Sequence, residues 1–144
     1  MKVAVVGLGS MGFGMGSSLL RAGFEVSGFD MRAEMTARFA ELSAGAAPAT
    51  AVEAVAGADV VVVVVVNADQ TESLLAEDGL LAATAPGAAI VSCATMAPER
   101  ARALADVVAA ADRLYVDAPI SGGAVRAAEG ALTILASGTP AAIE

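Results

Sequence analysis

The chain has no histidine, one cysteine, one lysine and only 3% aromatic residues in 144. A lone cysteine, Cys93, excludes an internal disulfide and suits a reducing cytoplasm, and without histidine a zinc site lacks its commonest ligands. Cys93 is expected as a small buried residue on a strand. Bases are scarce too: 8 Lys and Arg against 16 Asp and Glu leave a net charge of −8. That balance argues against nucleic acid or an anionic membrane as partner. The longest apolar run is the seven valines Val60–Val66. It is too short to span a bilayer and too β-branched to prefer a helix. An apolar strand that begins at residue 2 leaves no room for a signal peptide, so the cytoplasm is the expected location.

What is abundant is small and aliphatic. With 57% hydrophobic residues, a core of Val, Ala, Leu and Ile is expected, as a sheet covered on both faces requires. The length suits one domain with a real core.

The opening segment carries the strongest signal. Val3–Val6 reads as a strand, then Gly7, Gly9 and Gly12 form G-x-G-x-x-G, followed by a helical segment Met11–Ala22. In this context Gly7 permits the tight turn, Gly9 lets backbone approach a pyrophosphate, and Gly12 lets the helix pack against the sheet. The helix N-terminus adds free N–H groups and its positive dipole end. A second strand, Glu25–Phe29, ends in Asp30, eighteen residues after Gly12. An acid there accepts hydrogen bonds from the adenosine ribose and repels a 2′-phosphate, which favours NAD over NADP. Arg32, two residues on, is the counter-signal.

Strand and helix then alternate. Helix Ala33–Leu42 leads past Gly45 to a short strand around Ala46 and Ala47. Helix Thr50–Val55 precedes Val60–Val66, a central parallel strand with no wet face. Asp69–Leu75 has helical character and Ala89–Cys93 is a strand. Helix Pro98–Ala111 carries Pro98 at its first position and Glu99 in its first turn. Strand Leu114–Asp117, a loop with Gly122 and Gly123, and strand Leu132–Ala136 follow. Thr139-Pro140 opens another helix. Right-handed crossovers make this an α/β fold, a doubly wound (Rossmann) mostly parallel sheet in three αβα layers. Its expected strand order is 3-2-1-4-5-6 with an added strand.

The acid–base inventory is short. Without histidine, and with Lys2 at the end of β1 away from the turn, no residue is well placed to move a proton at a hydroxyl carbon.

Three ordered segments resemble the β-hydroxyacid dehydrogenases, the group of 3-hydroxyisobutyrate, tartronate-semialdehyde and 6-phosphogluconate dehydrogenases. They are Gly7-Leu8-Gly9-Ser10-Met11-Gly12 with Met15 and Leu19; Thr95-Met96-Ala97-Pro98; and Asp117-Ala118-Pro119-Ile120-Ser121-Gly122-Gly123 with Ala127, Gly130 and Leu132. The resemblance implies an NAD-binding domain over residues 1–144 and a C-terminal helical domain beyond Glu144. That second domain would supply the catalytic lysine and the contacts of a homo-oligomer. It implies cofactor contacts from Gly7, Leu8, Gly9, Ser10, Met11 and Gly12, from Asp30, Met31 and Arg32, and from Val66, Asn67 and Thr71. Thr95 would approach the nicotinamide. Ser121, Gly122 and Gly123 resemble the loop that holds the substrate carboxylate. No catalytic residue is expected in this chain, nor any metal.

The departures from the family pattern are Gly14 and Gly16 for Pro and Ala, Ser18 for Asn, Asn67 for a proline-containing loop, and Ala94 for Ser. With D-A-P-I-S-G-G-A-V-R-A-A-E-G they resemble the L-threonate dehydrogenase branch, which oxidises a four-carbon sugar acid. Alternatives are an imine reductase, similar through its N-terminal half, and a non-catalytic nucleotide-binding module.

Overall fold

The computed structural model describes all residues from Met1 to Glu144. Eight strands and eight helices alternate, beginning with β1 (Lys2–Val6), α1 (Ser10–Arg21), β2 (Glu25–Phe29) and α2 (Ala33–Ser43). Then come α3 (Ala51–Val55), β3 (Val60–Val63), α4 (Ala68–Leu75), α5 (Leu80–Ala83), β4 (Ala89–Ser92), α6 (Pro98–Ala110) and β5 (Leu114–Asp117). The chain closes with β6 (Ile120–Ser121), α7 (Gly123–Glu129), β7 (Thr133–Ile134), β8 (Ser137–Gly138) and α8 (Pro140–Ile143).

Strands run β2-β1-β3-β4-β5-β8 in one six-stranded sheet. The first five are parallel, and β8 joins β5 antiparallel. The expected doubly wound sheet is therefore present, short of its outermost strand. Ala46 and Ala47 form no strand and are exposed. Alanine is a poor strand former, and Pro48 brings no N–H to a ladder. β2 is thus the sheet edge. The expected strand Leu132–Ala136 is also divided. Thr133–Ile134 pairs with Ile120–Ser121 in a small second sheet, while Ser137–Gly138 turns back onto β5.

Successive strand residues face opposite sides, and each side has its own core. Ala4, Val6, Val61, Val63 and Ile90 pack with Val55, Leu80, Leu104 and Val108 beneath α3, α5 and α6. Val3, Val5, Val26 and Val62 pack with Leu8 and Phe39 beneath α1 and α2. The valine run is shorter as a strand than expected. Val61 to Val63 are buried, but Val66 is 82% exposed. Asn67 ends the strand by capping α4: its side chain accepts from the Gln70 amide at 3.0 Å, and Gln70 accepts from the Val66 amide at 2.9 Å. Val64 still donates its amide to the Val6 carbonyl at 2.8 Å, and this capping arrangement, a variant of the capping box, turns the chain away from the sheet at Val65 and Val66.

Glycines at 14 and 16 have a packing reason. A Cβ on Gly16 would lie 2.6 Å from the Phe39 ring, and one on Gly28 would lie 2.5 Å from its other side. Phe39 is fully buried in the slot they leave between α1 and β2. A Cβ on Gly14 would meet the α7 backbone at Ala128 N, 2.8 Å away. Ser18 stands in the same α1–α7 seam, its hydroxyl facing Gly130. The Arg21 guanidinium donates across that seam to the Ala128 carbonyl.

Cys93 is buried one residue past β4, rather than on it, against Leu8 and Val62. Burial pushes its thiol from 9.0 up to about 12. The neutral thiol therefore favours the folded state, and that contribution is lost as pH rises from about 9 to about 12. At pH 8 the folded protein should resist a thiol-alkylating reagent that labels it rapidly in denaturant. Equal labelling rates in the two states would show that the thiol is open. No helix is long and apolar enough to cross a membrane.

Candidate functional site

The turn after β1 owes its shape to Gly7. Its φ is +100°, and a Cβ there would overlap the Val64 carbonyl at 2.0 Å. Gly12 has no alternative either, since its Cβ would fall 1.8 Å from the Gly7 oxygen. These two positions fold the loop against β3 and bring α1 down onto it.

Gly9 is different. Its backbone, at φ −72° and ψ −163°, is extended and open to any residue. A Cβ there would approach only the Arg32 terminal nitrogen, 4.0 Å away. Neither backbone nor packing requires glycine at this position. What a side chain would obstruct is the space outside the loop. The residues present therefore fit a ligand whose phosphates come close to the backbone at the N-terminus of α1.

Beside this loop lies a cleft of about 730 Å³ between the β2 tip and α4. Among the residues expected at a cofactor, it gathers Gly7, Gly9, Asp30, Met31, Arg32 and Val66 on its walls. Met31 and Val66 are 95% and 82% exposed, apolar side chains on the two rims. Gln70 and Ser73 on α4 also line the cleft and escaped the sequence reading. Their three-residue spacing, which puts them on one helix face, is the signal that could have found them.

Asp30 is held firmly. Its Oδ2 accepts the Leu8 amide at 2.8 Å. Its Oδ1 accepts the Arg32 amide at 2.9 Å and the Arg32 Nε at 3.1 Å. Burial acts to raise the carboxyl, but the hydrogen bonds from Arg32 and Leu8 outweigh it and hold it below the ordinary value. Asp30 is thus also the clasp that ties the glycine loop to the β2 tip.

The other expected residues divide. Leu8 is fully buried and points into the core; Gly12 is buried in the first turn of α1, where Ser10 is exposed beside half-buried Met11. Asn67 is occupied in capping α4. Thr71 is fully buried, its hydroxyl donating to the Asn67 carbonyl at 3.0 Å. Thr95 is exposed just past β4, outside the cleft. Ser121, Gly122 and Gly123 are exposed after β5, with φ of +141° and +81° at the two glycines. Both loops lie at the carboxyl ends of the strands, as the Gly7–Gly12 loop does. Beneath them Ser92 and Tyr115 are buried on β4 and β5 and Asp117 is half-buried; one side-chain oxygen of each lacks a hydrogen-bond partner, and desolvation pushes the Asp117 carboxyl up. Lys2 is at the opposite end, its Nζ donating to the Ala56 carbonyl.

Comparison with known proteins agrees with this geometry. Residues 2–144 match the family model of the NAD binding domain of 6-phosphogluconate dehydrogenase. The L-threonate dehydrogenase of Cupriavidus necator is 47% identical over 139 residues, which is 95% of this chain and 46% of that protein. The NAD-dependent L-serine dehydrogenase of Pseudomonas aeruginosa is 39% identical, covering 99% of this chain and 48% of that one. The crystal structure of a 3-hydroxyisobutyrate dehydrogenase from Salmonella typhimurium superposes with a TM-score of 0.92 at 38% identity, over 99% of this chain and 50% of that one. The chain spans about half the length of the curated relatives it matches. An open cleft at a glycine loop, an acid at the β2 tip and a match across nearly every residue lead to one assignment: the chain belongs to the family of NAD-binding domains typified by 6-phosphogluconate dehydrogenase.

Proposed function

We propose that this chain is the cofactor-binding half of a dehydrogenase that oxidises a short hydroxy acid, with L-threonate or a similar sugar acid as substrate. One observation carries the reading. Two open glycine-bearing loops, Gly7–Gly12 after β1 and Ser121–Gly123 after β5, stand at the same carboxyl end of one sheet. When bound, NAD supplies the hydride acceptor, and the protein's part is orientation. The Gly7–Gly12 backbone and the α1 N-terminus receive the pyrophosphate, Asp30 receives the ribose, and Met31 and Val66 flank the adenine. The Ser121 hydroxyl and the N–H groups of the two following glycines hold the substrate carboxylate, as an anion nest does.

The proton acceptor comes from elsewhere. This chain has no histidine, and its lysine is turned to the far end of the sheet. We place that acceptor, a lysine, in a helical second half that also makes a homo-oligomer in the cytoplasm. The relatives' greater length supports this, as do Val125, Ile134, Leu135 and Ile143, each more than half exposed on the C-terminal elements.

The 144-residue chain should bind NADH, read by nicotinamide fluorescence, and oxidise hydroxy acids negligibly. Turnover near the enzyme median, ~10 s⁻¹, would overturn the division of labour. Joined to its second half, the protein should favour L-threonate over 3-hydroxyisobutyrate in kcat/KM, by ~10⁴ in a strict case. A site built to hydrogen-bond substrate hydroxyls leaves polar groups unpaired when they are missing. D-glycerate and L-serine complete the panel, and equal efficiency with 3-hydroxyisobutyrate would eliminate the sugar-acid assignment.

A further inference from the structure

The loop Ser121–Gly123 runs straight into α7, and α7 has little to hold it. Of its seven residues only Ala127 is buried. On its other side the loop is held by β6, two residues paired with two of β7. What Ala127 packs on is α1, the helix that leaves the glycine loop. A Cβ on Gly14 would lie 2.8 Å from the Ala128 nitrogen and 3.1 Å from the Ala127 carbonyl carbon. Further along α1, a Cβ on Gly130, the left-handed residue that closes α7, would lie 2.5 Å from the Ser18 hydroxyl. The Arg21 guanidinium reaches back along α1 and donates to the Ala128 carbonyl.

These contacts fix direction and height. Gly14 meets Ala127 and Ala128, and Ser18 meets Gly130, so the two helices run parallel. Gly9 caps α1 five residues before Gly14, and Gly122 caps α7 five residues before Ala127. With the same rise per residue in each helix, the two caps are level. The two open loops stand side by side because the helices behind them are packed together. α1 is pinned from beneath, with Gly12 against the Gly7 carbonyl and Gly16 against Phe39. Whatever widens the seam must move α7, and the Ser121–Gly123 loop with it.

We propose that Gly14 and Arg21 are positioning residues for the hydroxy acid, seating α7 on α1 so that the carboxylate loop stays in register with the cofactor loop. This rests on the reading of Ser121–Gly123 as the carboxylate site. Neither residue lines the 730 Å³ cleft, so both act through α7. An alanine at 14 pushes on backbone, which cannot rotate aside. It reaches ordinary contact only when α7 has backed off by about 1 Å. A displacement of that size can cost on the order of 100-fold in rate.

Kinetics of the protein joined to its second half, with the best hydroxy acid of the panel above, test this. Ser121→Ala checks the reading underneath and should raise KM for the acid ~10-fold, the scale of one hydrogen bond to a charged group. Gly14→Ala should raise it at least as much and lower kcat/KM by up to ~100-fold, with KM for NAD within about twofold. Arg21→Ala, a change on the exposed end of α1, should raise KM for the acid about threefold, and Arg21→Lys should recover most of that. In the 144-residue chain Gly14→Ala and Arg21→Ala should each bind NADH within about twofold of the wild type. Where Gly14→Ala does not fold, Arg21→Ala decides alone. If both leave KM for the acid unchanged while Ser121→Ala raises it, or raise KM for NAD equally, α7 only braces the fold and the proposal is overturned. An unchanged KM in Ser121→Ala, or turnover of no acid in the panel, overturns the substrate reading and this proposal with it.

Discussion

Gly9→Val should give a folded protein that no longer binds NADH usefully. The backbone at residue 9 is extended and no protein atom lies closer than 4.0 Å to the new Cβ. Folding should therefore lose only the difference between glycine and valine at a helix N-cap, about 0.5–1 kcal/mol. Binding should lose much more, because the isopropyl group occupies the space through which phosphate oxygens reach the loop N–H groups. Losing two charge-assisted hydrogen bonds at about 1.5 kcal/mol each is worth on the order of 100-fold in affinity. Thermal melting and NADH titration of one preparation check both halves. A well-folded Gly9→Val chain with wild-type affinity would place the cofactor elsewhere. Gly12→Val cannot serve as the probe, since its Cβ would overlap the Gly7 carbonyl oxygen and the loop itself would break.

Val63→Asp should prevent folding, whereas Val66→Asp should not. Val63 is fully buried in β3 between Val6 on β1 and Ser92 on β4. A carboxylate there has no cation beside it and loses its water, a cost of several kcal/mol against a total stability of about 5–15. Val66, three residues along the same run, is 82% exposed after the chain has left the sheet. Its replacement should shift stability by no more than about 0.5 kcal/mol. Circular dichroism and urea titration of the two variants decide the matter. A cooperatively melting Val63→Asp protein would contradict the central position of β3.

This pair marks how far the sequence could be read. Val60–Val66 is recognisable as a buried parallel strand because no residue in it can face water. Nothing in a uniform run says where it ends. The end is set by Asn67 and Gln70, whose side chains cap α4 and take up the Val66 amide. Ala46 and Ala47 failed for a related reason: two small residues before a proline carry no preference strong enough to extend a sheet. Leu132–Ala136 was apolar enough to be a strand, but β5 and β6 both offered an unpaired edge, and the segment divided between them.

The site shows the same division. Gly7, Gly12 and Asp30 were legible because each answers a local demand: a tight turn, a close helix, an acid at the tip of an edge strand. Thr71 looked equally suitable by position, but its hydroxyl is buried against the Asn67 carbonyl. Gln70 and Ser73 enter the cleft only because α4 is packed with that face outward.

By itself the sequence determined the alternation of strand and helix, the glycine loop, the acid at the β2 tip and the family, since these rest on short-range stereochemistry and spacing. The tertiary structure alone decided that Asp30 is neutralised by Arg32 and tied to Leu8, and that Arg38 stands unpaired over Phe13. It also decided that of two valines in one run one is core and the other is rim. Charge pairing and burial depend on which elements meet across the sheet, and residues 22 or 25 positions apart in the chain, such as Leu8 and Asp30 or Phe13 and Arg38, meet only once the chain has folded.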